Sequence, residues 1–208
     1  MGRIFYIMGK SATGKDHVYR DLIRDKELDL RPIVLFTTRP MREKEKNGRE
    51  YWFVDEQRLA GLREKGQVIE ERVYHTVLGD WYYFTADDGQ IRPEESDYLG
   101  IGTLESLGRM RAHFGKETVV PIYIETEDGL RLERALKRER KQAEPNYAEL
   151  CRRFLADCED YSEEKLAAAD ISVRILNSGT MEECVAAVKN VIRQTVPMAA
   201  KKRNLPGK

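Results

Sequence analysis

"IFYIMGKSATGKDHVYRDLIRD", residues 4–25, is the stretch on which the fold turns. Residues 3–8 are an apolar run and read as a buried strand; residues 14 to about 27 read as a helix with Val18, Leu22 and Ile23 on one face. Between them, Gly9, Gly14 and Lys15 match the pattern G-x-x-x-x-G-K. The glycines let backbone N–H groups turn inward, the lysine neutralises phosphate charge, and the loop ends on a helix N-terminus whose dipole favours anions. Ser11, Ala12 and Thr13 inside the loop, and Asp16 and His17 after it, complete the group expected around a nucleotide's phosphates. Asp16 stands where a serine or threonine usually holds Mg²⁺. It reads either as a hard-oxygen ligand for that ion or as a charge that favours the first turn of the helix.

Working outward, residues 32–38, "PIVLFTT", read as a second apolar strand. "YWFV", "QVIEERVY" and "WYYFT" read as strands of a small sheet, and "DEQRLAGLREKG" as a helix with an Asp cap and a Gly stop. "DYLGIGT" (97–103) returns to an apolar run and "LESLGRMRAHF" is helical. "TVVPIYIET" (118–126) is the plainest buried strand. Residues 129–165 are helical and dense in charge, with Pro145 dividing two helices. "ISVRIL" is a last strand and "MEECVAAVKNVIRQTV" a last amphipathic helix. Alternating strands and helices predict an α/β fold: a parallel sheet flanked by helices. The stretch 37–95 reads as an inserted small mixed lobe on a core of 1–36 and 96–195, and 196–208 as a basic tail.

The 208 residues suit one domain. With 36 basic and 36 acidic residues the net charge is zero, which argues against a general nucleic-acid binder. No segment approaches the ~20 apolar residues of a membrane span, and the N-terminus lacks a signal-peptide layout. Cys151, Cys158 and Cys184 form no CxxC pair, and a cytoplasmic location is expected. His75 and His113 have no evident partners in the sequence. The oligomeric state is left open.

A second constellation is "TTRPMREKEKNGREYWF", residues 37–53. Arginine forks suit phosphate geometry and a phenol adds a neutral donor, so Arg39, Arg42 and Tyr51 can converge on one phosphate. The spacing T-T-R-x-x-R-x-x-E-x-x-G-x-x-Y-x-F, at Thr37, Thr38, Arg39, Arg42, Glu45, Gly48, Tyr51 and Phe53, closely resembles the guanylate kinase family. The resemblance extends over about residues 1–195 and includes "VIE" at 68–70 and an arginine-rich lid at about 129–150. It implies transfer of a phosphoryl group from ATP to GMP with Mg²⁺. It implies that Thr38, Arg39, Arg42, Tyr51 and Tyr82 hold the GMP phosphate, and that Glu70 reads the guanine edge. Lid arginines would stabilise the transferred phosphoryl: Arg134 and Arg138 first, then Arg152 or Arg153.

The chain departs from that pattern at several places. Asp16 and His17 replace a hydroxyl pair, and Leu35 replaces a serine. Gly100 and Gly102 stand where the family usually has two aspartates, with Thr103 or Glu105 as possible substitutes. Two alternatives to GMP phosphorylation follow: a kinase of the same fold acting on another nucleoside monophosphate or on ribose 1,5-bisphosphate, and a non-catalytic binding module.

Overall fold

The computed structural model describes residues 2–76 and 79–195; the basic tail expected at 196–208 lies outside the described residues. β1 (Ile4–Met8) is buried at every position. Successive side chains leave a strand on opposite faces. Ile4, Tyr6 and Met8 therefore enter one apolar cluster and Phe5 and Ile7 another. A strand buried on both faces needs helices on both. α1 (Lys15–Arg24) and α7 (Met181–Thr195) cover the Phe5 side with Val18, Leu22, Val185, Val188 and Ile192. α3 (Leu104–Phe114) and α6 (Glu163–Ala168) cover the Tyr6 side with Leu107, Met110 and Leu166.

β1 is the middle strand of a five-stranded sheet. Its neighbours are β7 (Tyr98–Ile101) and β8 (Val119–Glu125), with β2 (Arg31–Pro32) and β9 (Arg174–Leu176) at the edges. All these pairings are parallel. The expected parallel sheet flanked by helices is the observed architecture.

A second, four-stranded sheet has the order β4 (Trp52–Phe53), β3 (Phe36–Thr37), β6 (Gly79–Ala86), β5 (Val68–Thr76). β3 runs parallel to β4 and antiparallel to β6. α2 (Glu56–Glu64) buries Leu59 and Leu62 against Phe36, Phe84 and Ala86. Asp55 caps that helix by accepting the Arg58 N–H, and Gly66 follows it at φ 65°. α4 (Asp128–Glu139) and α5 (Tyr147–Asp160) lie on either side of Pro145, as expected.

"PIVLFTT" is not one strand. Pro32 ends the pairing with β7, and Phe36 and Thr37 pair in the other sheet. A run of apolar residues signals burial but not which sheet buries it.

Gly100 and Gly102 have a packing cause. A Cβ at Gly100 would lie 2.6 Å from Tyr6 Cδ2, and one at Gly102 would clash with Tyr6 Oη. The Tyr6 side chain fills the space that side chains at 100 and 102 would need. Overpacking a buried site typically costs about 1–3 kcal/mol. Gly102→Ala is therefore expected to lower unfolding free energy by that amount in urea denaturation. A Cβ at 102 would also lie 2.5 Å from Ser106 Oγ, so the penalty should shrink in a Tyr6→Phe/Ser106→Ala background; equal penalties in both backgrounds would refute the packing cause.

Candidate functional site

In an open parallel sheet, ligands bind beyond the carboxyl ends of the strands. Here the loops after β1, β8 and β9 meet at the Thr13 carbonyl. It accepts hydrogen bonds from Asn177 Nδ2 at 2.7 Å and from Thr126 Oγ1 at 3.4 Å. Residues 9–15 thus form a loop held from outside. Gly14 has φ 90° and lies against Asn177, where a Cβ would meet Nδ2 at 2.7 Å. Gly9 passes the Ile124 carbonyl so closely that a Cβ would lie 2.5 Å from it. Ala12 holds φ 64°, a left-handed conformation that non-glycine residues seldom adopt.

The loop delivers the chain into α1 with no side chain capping its first turn. Free N–H groups and the helix dipole are available to an anion there. Lys15 Nζ lies 3.9 Å from Asp16 Oδ2, and the Asp16 side chain is 77% exposed. Asp16 accordingly faces solvent and makes no cap. His17 Nε2 lies 3.4 Å from Asp21 Oδ2 on the next turn.

A second charged group is built on the other sheet. Arg39 is 4% exposed. Its Nη2 donates to Glu45 Oε1 at 2.8 Å, its Nη1 to the Pro40 carbonyl at 2.8 Å, and its Nε to Tyr83 Oη at 3.2 Å. The guanidinium also lies 5.7 Å from the Tyr51 ring centre and 5.5 Å from that of Phe53. Each Nη keeps one further N–H for an anion. Glu45 also accepts the Arg42 N–H, so one carboxylate sets the spacing of both arginines. The hydrogen bond from Arg39 holds the Glu45 carboxyl below the usual range. Arg42 itself is exposed.

One residue of this group is corrected. Tyr82 does not converge with Arg39; its ring lies 4.9 Å from the Arg63 guanidinium. Tyr83 bonds Arg39 and packs edge-on to Tyr51 at 5.5 Å. Adjacent strand residues point to opposite faces, so only one of the two tyrosines can face the cluster. Thr38 meets Tyr82 through the backbone, its Oγ1 accepting the Tyr82 N–H at 3.0 Å.

Between β5 and α3 lies a cavity of about 250 Å³, lined in part by Glu70, Arg72, Thr103, Glu105, Ser106 and Arg109. Glu70 is buried; its Oε1 accepts from Thr85 Oγ1 at 2.8 Å, and Arg72 Nε lies 3.5 Å from its Oε2. Thr103 and Ser106 form a reciprocal cap at the start of α3, and Tyr6 Oη lies 2.8 Å from Ser106 Oγ. Arg72, Ser106 and Tyr6 carried no signal in the sequence, because none belongs to a spaced motif.

The helical arginines differ in placement. Arg134 is half-buried, with Nη1 buried and without a hydrogen-bond partner. Arg138 is exposed. Arg152 and Arg153 are exposed and both pair with Glu149. Arg131 reads in the sequence as one surface charge among many, yet it is 1% exposed and bonds the loop after β1 at the Ser11 carbonyl. His75 and His113 have carboxylate partners after all, Asp80 at 2.7 Å and Asp87 at 2.9 Å, on exposed surface.

Burial is the largest influence on Glu70 and pushes its carboxyl above the usual carboxylate range, against the opposing charge of Arg72 and the Thr85 hydrogen bond. A raised carboxyl favours the neutral fold: the contribution is full at low pH and is lost as pH rises through the folded value. Glu70→Gln carries no charge to bury. Its melting temperature relative to the parent should therefore be higher at pH 7 than at pH 4. A difference that does not change between those pH values would show that burial does not govern Glu70.

The family model described as guanylate kinase matches residues 1–92. Guanylate kinase of Malacoplasma penetrans is 39% identical over 69 residues, 33% of this chain and 35% of that protein. That of Porphyromonas gingivalis is 33% identical over 101 residues, 48% of this chain and 52% of that protein. In these two alignments the chain spans a third to a half of the relatives' length. That of Cupriavidus metallidurans is 29% identical over 198 residues, 93% of this chain and 84% of that protein. The crystal structure of guanylate kinase from Anaplasma phagocytophilum shares the fold, with a TM-score of 0.64 at 20% identity over 95% of this chain and 88% of that one. Over its first 92 residues the chain is similar in sequence to guanylate kinases, and over nearly its whole length it shares the fold of one.

Proposed function

We propose that this protein is a nucleoside monophosphate kinase that transfers the γ-phosphoryl group of ATP to GMP. The observation that carries the reading is the buried Glu70 carboxylate in a cavity of its own, apart from the Arg39 group that suits a phosphate. A carboxylate accepts the N1–H and N2–H₂ of guanine; adenine has no such donor pair.

In this reading Lys15 and the first amides of α1 hold the β- and γ-phosphates of ATP. Arg39, Arg42, Tyr51 and Tyr83 hold the GMP phosphate, with Thr38 keeping β3 and β6 in register beneath it. A GMP phosphate oxygen attacks the γ-phosphorus in line, and the bond to the bridging oxygen breaks with its electrons leaving on ADP. Catalysis is positioning and charge neutralisation, without a covalent enzyme intermediate. Arg134, half-buried with an unpartnered Nη1, is the first candidate for the charge that spreads over the transferred group; Arg138 and Arg153, both exposed, are the further candidates.

The residues present fit a magnesium ion. Among the described residues no three acidic, His or Cys side chains converge on a metal site. Magnesium is commonly held by one or two carboxylates with substrate phosphates, and Asp16 offers an exposed carboxylate beside Lys15. Bound there, the ion would neutralise phosphate charge and orient the phosphates. Three free thiols suit a reducing cytoplasm.

Ribose 1,5-bisphosphate is the weaker substrate reading, because its second phosphate would lie against the buried Glu70 carboxylate. The test is ADP production with ATP and Mg²⁺ against GMP, dGMP, AMP, CMP, UMP and ribose 1,5-bisphosphate. GMP and dGMP should turn over at least tenfold faster than the others. Turnover with ribose 1,5-bisphosphate alone would replace the reading, and no turnover with any acceptor would move a non-catalytic binding module to first place. Asp16→Asn is expected to raise the Mg²⁺ concentration for half-maximal activity while leaving KM for GMP within twofold. An unchanged Mg²⁺ requirement would remove Asp16 from the metal site.

A further inference from the structure

Ala12 holds a left-handed backbone conformation at φ 64° in the middle of the phosphate loop. Such strain persists only where the surroundings over-determine it. On its C-terminal side, Thr13 is fixed through its carbonyl by Asn177 and Thr126, and Thr13 Oγ1 donates to the Lys10 carbonyl at 2.9 Å. On its N-terminal side, both peptide groups of Ser11 are taken by helices far along the chain. Asp157 Oδ2 of α5 accepts the Ser11 N–H at 2.7 Å, and Arg131 Nη1 of α4 donates to the Ser11 carbonyl at 3.3 Å.

These two side chains are themselves locked. Arg131 Nη1 lies 3.3 Å from Asp157 Oδ2, and its Nε donates to Asp128 Oδ1 at 3.0 Å. Its guanidinium stands 4.2 Å from the Phe154 ring centre. Lys10 Nζ donates to the same Asp128 oxygen at 3.3 Å. Residues 10 and 11 of the loop are thus joined to α4 and α5 by one part-buried ionic network around the buried Arg131. Such networks hold a unique geometry when every member is satisfied.

We infer that Arg131 and Asp157 are positioning residues: by locking Ser11 they hold strained Ala12, and with it the anion-binding shape of the phosphate loop. Neither needs to touch the nucleotide. Placement of α4 and α5 and competence of the loop are then one coupled property, so a shift of these helices alters ATP affinity directly.

The part of this inference that concerns ATP rests on the proposed kinase reading. The experiment separates the two. ATP and GMP binding are measured by calorimetry on the full chain and on Asp157→Ala, Asp157→Asn, Ala12→Gly and the Asp157→Ala/Ala12→Gly pair, and amide exchange of residues 10–14 is measured without nucleotide. Losing a hydrogen bond to a charged acceptor is worth roughly tenfold or more. Asp157→Ala should weaken ATP about tenfold, leave GMP within twofold and speed exchange in the loop. Asp157→Asn keeps an acceptor for the Ser11 N–H and should fall between. Ala12→Gly relieves the left-handed strain and should return part of the lost ATP affinity. Unchanged loop exchange in Asp157→Ala, equal loss of ATP and GMP affinity, or no recovery with Ala12→Gly would each overturn the inference. If the parent chain binds no ATP while loop exchange responds as described, the kinase reading falls and the positioning role stands.

Discussion

The carbonyl of Thr13 must be satisfied where water does not reach it, and much of the structure follows from how this is done. Thr13 is 1% exposed. An unpaired buried carbonyl costs free energy comparable to a lost hydrogen bond. Asn177, just beyond β9, and Thr126, just beyond β8, supply the donors. The loop after β1 is therefore bound to the ends of two further strands, and its glycines are the residues that allow the approach. Replacing Gly14 would drive a side chain into Asn177, and replacing Gly9 would drive one into the backbone of β8. The loop of residues 9–15 is in this sense a corner of the sheet rather than a free turn.

Charge is handled in two ways across the molecule. Exposed pairs such as Arg152–Glu149 and Arg92–Glu95 lie in high dielectric and contribute little. Three buried charged groups are different. Arg39 is enclosed by Glu45, Tyr83 and two rings; Glu70 by Thr85 and Arg72; Arg131 by Asp128, Asp157 and Phe154. Removing one partner of such a group leaves a charge uncompensated, which is far more costly than losing a surface pair. These three lie in the Arg39 cluster, at the cavity beside α3, and where α4 and α5 meet residues 10 and 11. The charged stretch 129–165 hides this difference, because a buried arginine and a solvated one are written with the same letter.

Much of the candidate site was legible in order along the chain. The strand, loop and helix at residues 3–24, the Arg39 to Phe53 spacing and Glu70 all depend on local pattern. What was not legible depends on direction. Tyr82 and Tyr83 are neighbours in sequence, but the pleat sends only Tyr83 to Arg39. Residues 32–38 form one apolar run, yet the chain changes sheets within it. The histidines at 75 and 113 find carboxylates 5 and 26 positions away, the second only through folding.

The sequence by itself determined the α/β class and named the candidate groups for phosphate and base, because hydrophobic period and motif spacing are properties of consecutive residues. Tertiary structure alone decided that Tyr6 leaves no room for side chains at 100 and 102, and that Arg131 and Asp157 reach back across more than a hundred residues to Ser11. Those are matters of volume and of long-range hydrogen bonding. They exist only once distant segments share the same space.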